Sequence, residues 1–258
     1  MNLNFRYSHP RLVIANKPDA DPAATSACMD CKGRKACLAG GLDGDELVDF
    51  EQLITLRRRV ARREVLVRVN EPATKLYAVH FGQFKATAID HRGQHYVAGF
   101  HMSGDLIGVD AFAGGRHRLG AVALEDSEVC EIPIEHLSKA LTLHPALASV
   151  FLSRMSANIF RAIEGGQFLA SLRSDRRFAR FLCQLSERHG AMGYSPYVFH
   201  LRMARADIGS YLGISVENLS RMIAKFRQHG LVNMNLRRVE ILDLNALVEF
   251  SNRNDVGD

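Results

Sequence analysis

The stretch "YLGISVENLSRMIAKFRQHG", residues 211–230, decides how the rest of the chain is read. Gly213 is a turn signal, Ser215 is a good N-cap, and Leu219, Ile223 and Phe226 recur behind it at helical spacing. A shorter helical run, "RADIGSYLG" (205–213), precedes the turn. A strand "YVFHLRM" (197–203) and a hairpin "LVNMNLRRVEILDL" (231–244) flank the pair. Two short helices about a glycine turn, framed by strands, predict a winged helix-turn-helix, whose second helix enters the DNA major groove. Ser215, Glu217, Asn218, Ser220 and Arg221 occupy the first turns of that helix, with Lys225 one turn further on. Arginine can bond guanine O6 and N7 together and glutamate can accept from cytosine N4, each good bidentate pair being worth ~1–3 kcal/mol of discrimination. Between Arg176 and Arg227 nine Lys/Arg face three Asp/Glu, against a net charge of +5 for the whole chain. Such an excess suits a polyanion partner and equally a solvated basic face.

Working towards the N-terminus, "DRRFARFLCQLSERHG" (175–190) reads as an amphipathic helix. Residues 143–172 form a longer one, with Leu147, Val150, Phe151, Met155, Ile159, Ile163 and Leu169 along one stripe. Thirty helical residues span about 45 Å. A stripe of that length suits pairing with a twin helix, and Val150, Met155, Ile159, Ala162 and Ile163 are the expected dimer contacts. Gly165 and Gly166 predict a kink or local fraying. From about Val65 to Pro133 the pattern changes to short β-type runs punctuated by glycines, the signature of an antiparallel roll or barrel. Asp43 and Glu46 have capping-box spacing at the start of a short helix before it. The fold class is therefore α+β. An arm spans 1–41, a β-roll sensory domain 42–142, a dimerisation helix 143–173 and the winged helix-turn-helix 174–258.

The five cysteines are the chemical signal. Cys28, Cys31 and Cys37 have the spacing C-x2-C-x5-C, and thiolates are the common ligands of iron-sulfur clusters and structural zinc. Lys32, Arg34 and Lys35 lie inside the loop, where they could offset thiolate charge or simply be solvated. Three thiolates are one short of a site. Cys130 in the roll and Cys183 on a helix of the C-terminal part are the candidates for a fourth, each also readable as core filling, and spacing alone leaves the choice even. The N-terminus has no apolar run before a small-residue cleavage site and no uncharged apolar stretch reaches ~18 residues, so a cytoplasmic, reducing compartment is expected. No Ser/His/Asp or paired-carboxylate arrangement marks a catalyst.

"CMDCKGRKAC", "GFHMSGDLIGVDAF", "ALEDSEVCEIP" and "DIGSYLGISVENLSRMIAKF" together resemble the CRP/FNR family of bacterial regulators, in its oxygen-responsive FNR branch, from Cys28 to about Leu242. The resemblance implies a cyclic-nucleotide-binding-like (cupin) roll and a [4Fe-4S] cluster on Cys28, Cys31, Cys37 and Cys130, with Cys183 matching no ligand. It puts base reading on Glu217, Ser220 and Arg221. It further implies a homodimer on near-palindromic DNA with half-sites resembling TTGAT, RNA polymerase as a further partner, and no membrane association. Two departures stand out. Val109 and the Arg118-Leu119 pair replace the Glu and Arg-Ser with which cyclic-nucleotide members hold their ligand, so cAMP is not expected. Ala162 and Ile163 stand about where similar proteins carry an acidic side chain thought to keep the cluster-free form apart. A structural zinc in the same fold, and an iron-sulfur redox protein, are the alternatives.

Overall fold

The computed structural model describes residues 28–171 and 173–252, and side chains from 164 to 172 are outside the description; the first 27 residues of the expected arm and the Leu169 side chain therefore lie outside it. Three short 3-10 turns (Cys28–Asp30, Arg34–Ala36, Leu38–Gly41) lead into α1 (Gly44–Leu53). The roll follows as β1 (Leu56–Val60), β2 (Val65–Val67), β3 (Lys75–Phe81), β4 (Phe84–Ile89), β5 (His95–His101), β6 (Leu106–Ile107), β7 (Gly120–Ala123) and β8 (Ser127–Pro133). Its two antiparallel sheets have the orders β1-β8-β3-β6 and β2-β7-β4-β5. The strand at 56–60, "LRRRV", is not legible as one, because three consecutive arginines mask the alternation; it forms the sheet edge beside β8.

Period-2 alternation divides the first sheet between two cores. Val60, Val79 and Val129 face the second sheet and pack with Phe84, Ile107 and Ala121 inside the roll. Leu76, Ala78, Cys130 and Ile132 point the other way, onto Leu38, Leu47, Phe50 and Leu53 of the N-terminal segment and α1. Helix α2 (Ile134–Leu143) and the long helix α3 (Pro145–Ser171) close over this second core through Leu137, Ala140 and Leu147. Helix α3 runs unbroken through Gly165 and Gly166.

The C-terminal part consists of α4 (Ser174–Ala191), β9 (Val198–His200), α5 (Arg205–Leu212), α6 (Val216–Gln228), the hairpin β10 (Val232–Asn235) and β11 (Arg238–Ile241), and α7 (Leu244–Asn252). Gly213 ends α5 at φ 63°, ψ 42°, the left-handed conformation that lets α6 depart at once. Ser215 caps α6 by accepting from the Asn218 N–H at 3.2 Å. Phe226 is buried and stacks on Phe178 of α4 with ring centroids 5.5 Å apart. This domain docks on the roll. Lys85 of β4 pairs with Asp207 at 2.6 Å, the Val97 N–H donates to Ser210 Oγ at 3.0 Å, and Phe100 packs against Tyr211 at 5.3 Å. At the start of α1 Asp43 is the N-cap residue but makes no cap bond; its carboxylate turns to Arg34 at 2.9 Å instead, so the expected capping box does not form.

Replacing Phe226 by Ala removes a fully buried ring and should lower the stability of the C-terminal domain by about 3–5 kcal/mol. Urea denaturation followed by far-ultraviolet circular dichroism measures it.

Candidate metal centre and nucleic-acid interface

The register of β8 places Cys130 opposite Arg57 on one side and Ala78 on the other. Its side chain emerges on the sheet face covered by the N-terminal turns. Cys28, Cys31, Cys37 and Cys130 line one cavity of about 20 Å³, together with Phe50, Ile54, Ala78, Val79, His80 and Arg57. The loop is folded by its own backbone, with the Cys37 N–H donating to the carbonyls of Gly33 and Arg34, and by Glu51, which accepts from the Cys28 N–H. Arg34 bonds the carbonyls of Ala39 and Leu42 as well as Asp43, so it staples the loop, while Lys32 and Lys35 are exposed to solvent. Cys183 lies apart, in the core of the C-terminal domain with Phe181, Leu182 and Leu247.

Burial, followed by repulsion from Cys37, Glu51 and Cys130, pushes the Cys28 thiol up to about 12. Burial also raises Cys130 to about 12, against the opposing pull of Arg57, and burial raises Cys37. These are thiols whose ionisation each opposes the others'. A cationic guest would favour the ionised set, as Arg57 and Arg154 do in part. Among the described residues no three His, Cys, Asp or Glu side chains close on a single point, as ligands of one ion would; the sulfurs border a shared space. Four thiols on an apolar wall are a donor set that fits an iron-sulfur group.

His80 lines this site and Arg154 holds the outside of its loop; neither was read from the sequence. His80 shares a face of β3 with Ala78 and brings Nδ1 to 3.3 Å from Cys31 Sγ. Arg154 of α3 donates to the Lys35 and Cys37 carbonyls. Strand alternation could have put His80 on the face of Ala78, but only the β3–β8 register puts that face beside Cys130.

The expected dimer residues divide. Val150 and Met155, with Phe151, turn inward onto the core that holds Cys28 and Cys130. Ile159 and Ile163 are exposed, as are Ala162 and two apolar residues outside the expected set, Leu152 at 64% and Phe160 at 66%. A 27-residue helix this close to the roll needs a wide apolar arc to hold it, which takes the first half of the stripe.

On α6, Glu217 and Arg221 are exposed and Leu219, Met222, Ile223 and Phe226 are buried. Glu217's carboxyl is held below its ordinary value by the helix backbone, the Ser215 hydroxyl and Arg221. Ser220 Oγ donates to the Val216 carbonyl at 2.9 Å and accepts from Arg205 at 3.3 Å. Asn218 reaches back to Ser174 at 3.4 Å, and Lys225 pairs with Asp175 at 3.2 Å, so both lean towards α4. In the roll, the Asp110 carboxylate accepts from the N–H groups of Arg118 and Leu119, the latter at 2.9 Å.

A profile of the cyclic nucleotide-binding domain matches residues 57–144, and one of the Crp-like helix-turn-helix domain matches residues 176–250. The chain is 37% identical over 223 residues, 86% of its length and 92% of the relative's, to "Transcriptional regulatory protein btr" of Bordetella pertussis. It is 33% identical over 224 residues, 87% of its length and 90% of the relative's, to the "Fumarate and nitrate reduction regulatory protein" of Escherichia coli. The chain belongs to the CRP/FNR family, in its FNR-like branch. Members of this family are DNA-binding transcription regulators, not enzymes, and so is this chain. The solved structure of FixK2 from Bradyrhizobium japonicum shares the fold, with a TM-score of 0.70 at 23% identity over 79% of this chain and 98% of that one. Among the described residues no helix is long and apolar enough to cross a membrane.

The raised thiols have a pH consequence in metal-free protein. A thiol kept neutral in the fold but ionising near 9.0 when unfolded contributes stability below that pH and loses it as pH rises towards 12. At pH 8, iodoacetamide should modify Cys28 and Cys130 much more slowly than a cysteine in an unstructured peptide, read by mass spectrometry.

Proposed function

We propose that this regulator is a homodimer that senses oxygen, and also nitric oxide, through a [4Fe-4S] cluster held by Cys28, Cys31, Cys37 and Cys130. The observation that carries the reading is the meeting of four thiols, three from one loop and one from a distant strand, on the sheet face that α3 covers. A cluster bound there supplies an oxygen-labile link between the loop and β8. The chain's residues do the rest. Glu51 and Arg34 hold the loop in shape, and Val150, Phe151 and Met155 seat α3 against the same core. The outer row Leu152, Ile159, Phe160 and Ile163 is left to pair with a second copy. Pairing sets two α6 helices about one DNA turn (~10 bp) apart on a near-palindromic site, with half-sites like TTGAT read by Glu217, Ser220 and Arg221. Ser215 orders the reading end, while Asn218 and Lys225 support it from the α4 side. The signal acts only through its different fit to the DNA-binding and non-binding states. RNA polymerase is the further partner in this reading, the cytoplasm the compartment, and cAMP is not a ligand, since Asp110 already takes the amides of Arg118 and Leu119.

Protein purified without oxygen should be brown, with about four iron and four sulfide per chain. Cys183→Ala should keep both and Cys130→Ala should lose them. Colourless, zinc-loaded protein that binds DNA equally well in air would overturn the reading.

With uncharged Ala162 beside Ile159 and Ile163, air-exposed protein should retain more dimer than a typical FNR-like regulator, read by sedimentation velocity. Ala162→Asp should drive it to monomer, by placing like charges together at an apolar seam.

A further inference from the structure

We propose that Arg154 is the positioning residue that transmits the state of the cysteine loop to the dimerisation face of α3; this rests on the sensing role argued above and names the side chain that carries it. Its guanidinium donates to the carbonyls of Lys35, at 2.5 Å, and Cys37, at 3.4 Å. Both acceptors are main-chain atoms of the loop that bears the ligands. They stand together only while the loop is folded, with the Cys37 N–H bonded to Gly33 and Arg34 and the Gly40 N–H bonded to Cys37.

One helical turn earlier, Gly41 lies against Val150 so closely that a β-carbon on the glycine would come within 2.6 Å of Val150 Cγ2. Loop and helix therefore touch at two successive turns. The apolar contact alone sets a distance but little direction. The single nitrogen Nη2 of Arg154, shared between the two carbonyls, adds a directional tie off the helix axis, which resists rotation of α3 against the loop. Rotation is what the opposite face reads, because Leu152, Ile159, Phe160 and Ile163 meet a partner only at one helix orientation. Among the described residues no carboxylate pairs with Arg154, so the loop carbonyls are what orient it. The hydrogen bonds go to oxygen and not to the sulfurs, and since the guanidinium charge also favours the Cys37 thiolate, the iron assay below separates positioning from counter-charge.

The test uses the full chain as wild type, Arg154→Ala and Arg154→Lys, purified without oxygen. Iron and sulfide are assayed, and the dimer dissociation constant is measured by sedimentation before and after exposure to air. Arg154→Ala should keep the parent's iron and sulfide while the ratio of the two dimer constants shrinks on the order of tenfold, a usual size for coupling between sites. Arg154→Lys, which still offers a cation to one carbonyl, should fall between. An unchanged ratio in Arg154→Ala overturns the proposal, and so does loss of iron in that variant, which would mean that Arg154 serves the loop alone. If the parent itself holds no iron, the sensing reading fails, and Arg154 is judged instead by a double-mutant cycle with Cys37→Ser on the dimer constant. Non-additive effects support the coupling and additive ones sink it.

Discussion

The structure depends on β8 being buried on both faces. Val129 closes the interior of the roll, and the neighbouring Cys130, pointing the other way, joins a second core built from the N-terminal turns, α1 and α3. Most strands of an antiparallel roll need only one apolar face. Here the outer face is a seat, and what sits on it includes the cysteine loop and the helix expected to pair with a second copy. A one-residue slip of β8 would exchange Val129 and Cys130, emptying the seat and placing a thiol inside the roll.

The second core also explains how α3 can serve two purposes. Its inward arc, Leu147, Val150, Phe151 and Met155, is committed to the roll. Its outward row stays free for another chain. Asp207 has a similar double duty at the other end of the molecule, accepting from the Ala204 N–H at the start of α5 while pairing with Lys85 of the roll. Positions that hold the helix-turn-helix together thus also fix how it sits against the sensory part.

Where local chemistry specifies structure, the sequence was sufficient. Ser215 and Gly213 mark the turn between α5 and α6 by capping and by left-handed backbone, and both do so in the fold. The glycine-punctuated roll and the long helix were equally legible. Three matters were not. The strand of β1 hides behind Arg57, Arg58 and Arg59, which are read as polar although an edge strand tolerates them. The choice between Cys130 and Cys183 was even, because which cysteine approaches the loop is set by strand register and domain packing, which involve residues far apart in the chain. The stripe on α3 could be seen but not divided, since periodicity reports that a face is apolar and not whether its own chain or another covers it. Gly165 and Gly166, where a kink or fraying was expected, lie within the helix without ending it: each costs about 1 kcal/mol in a helix, too little to interrupt one of this length.

The carboxylate of Asp110, bound to the amides of Arg118 and Leu119, has a consequence for what the roll can respond to. A tethered group occupies its seat at an effective concentration that reaches the millimolar range for short flexible links. Asp110 is closer still, held in a 3-10 turn beside the seat. A free carboxylate of the same intrinsic affinity, present at micromolar levels, would therefore lose the competition for these amides by mass action. The roll thus supplies its own occupant for these two amides.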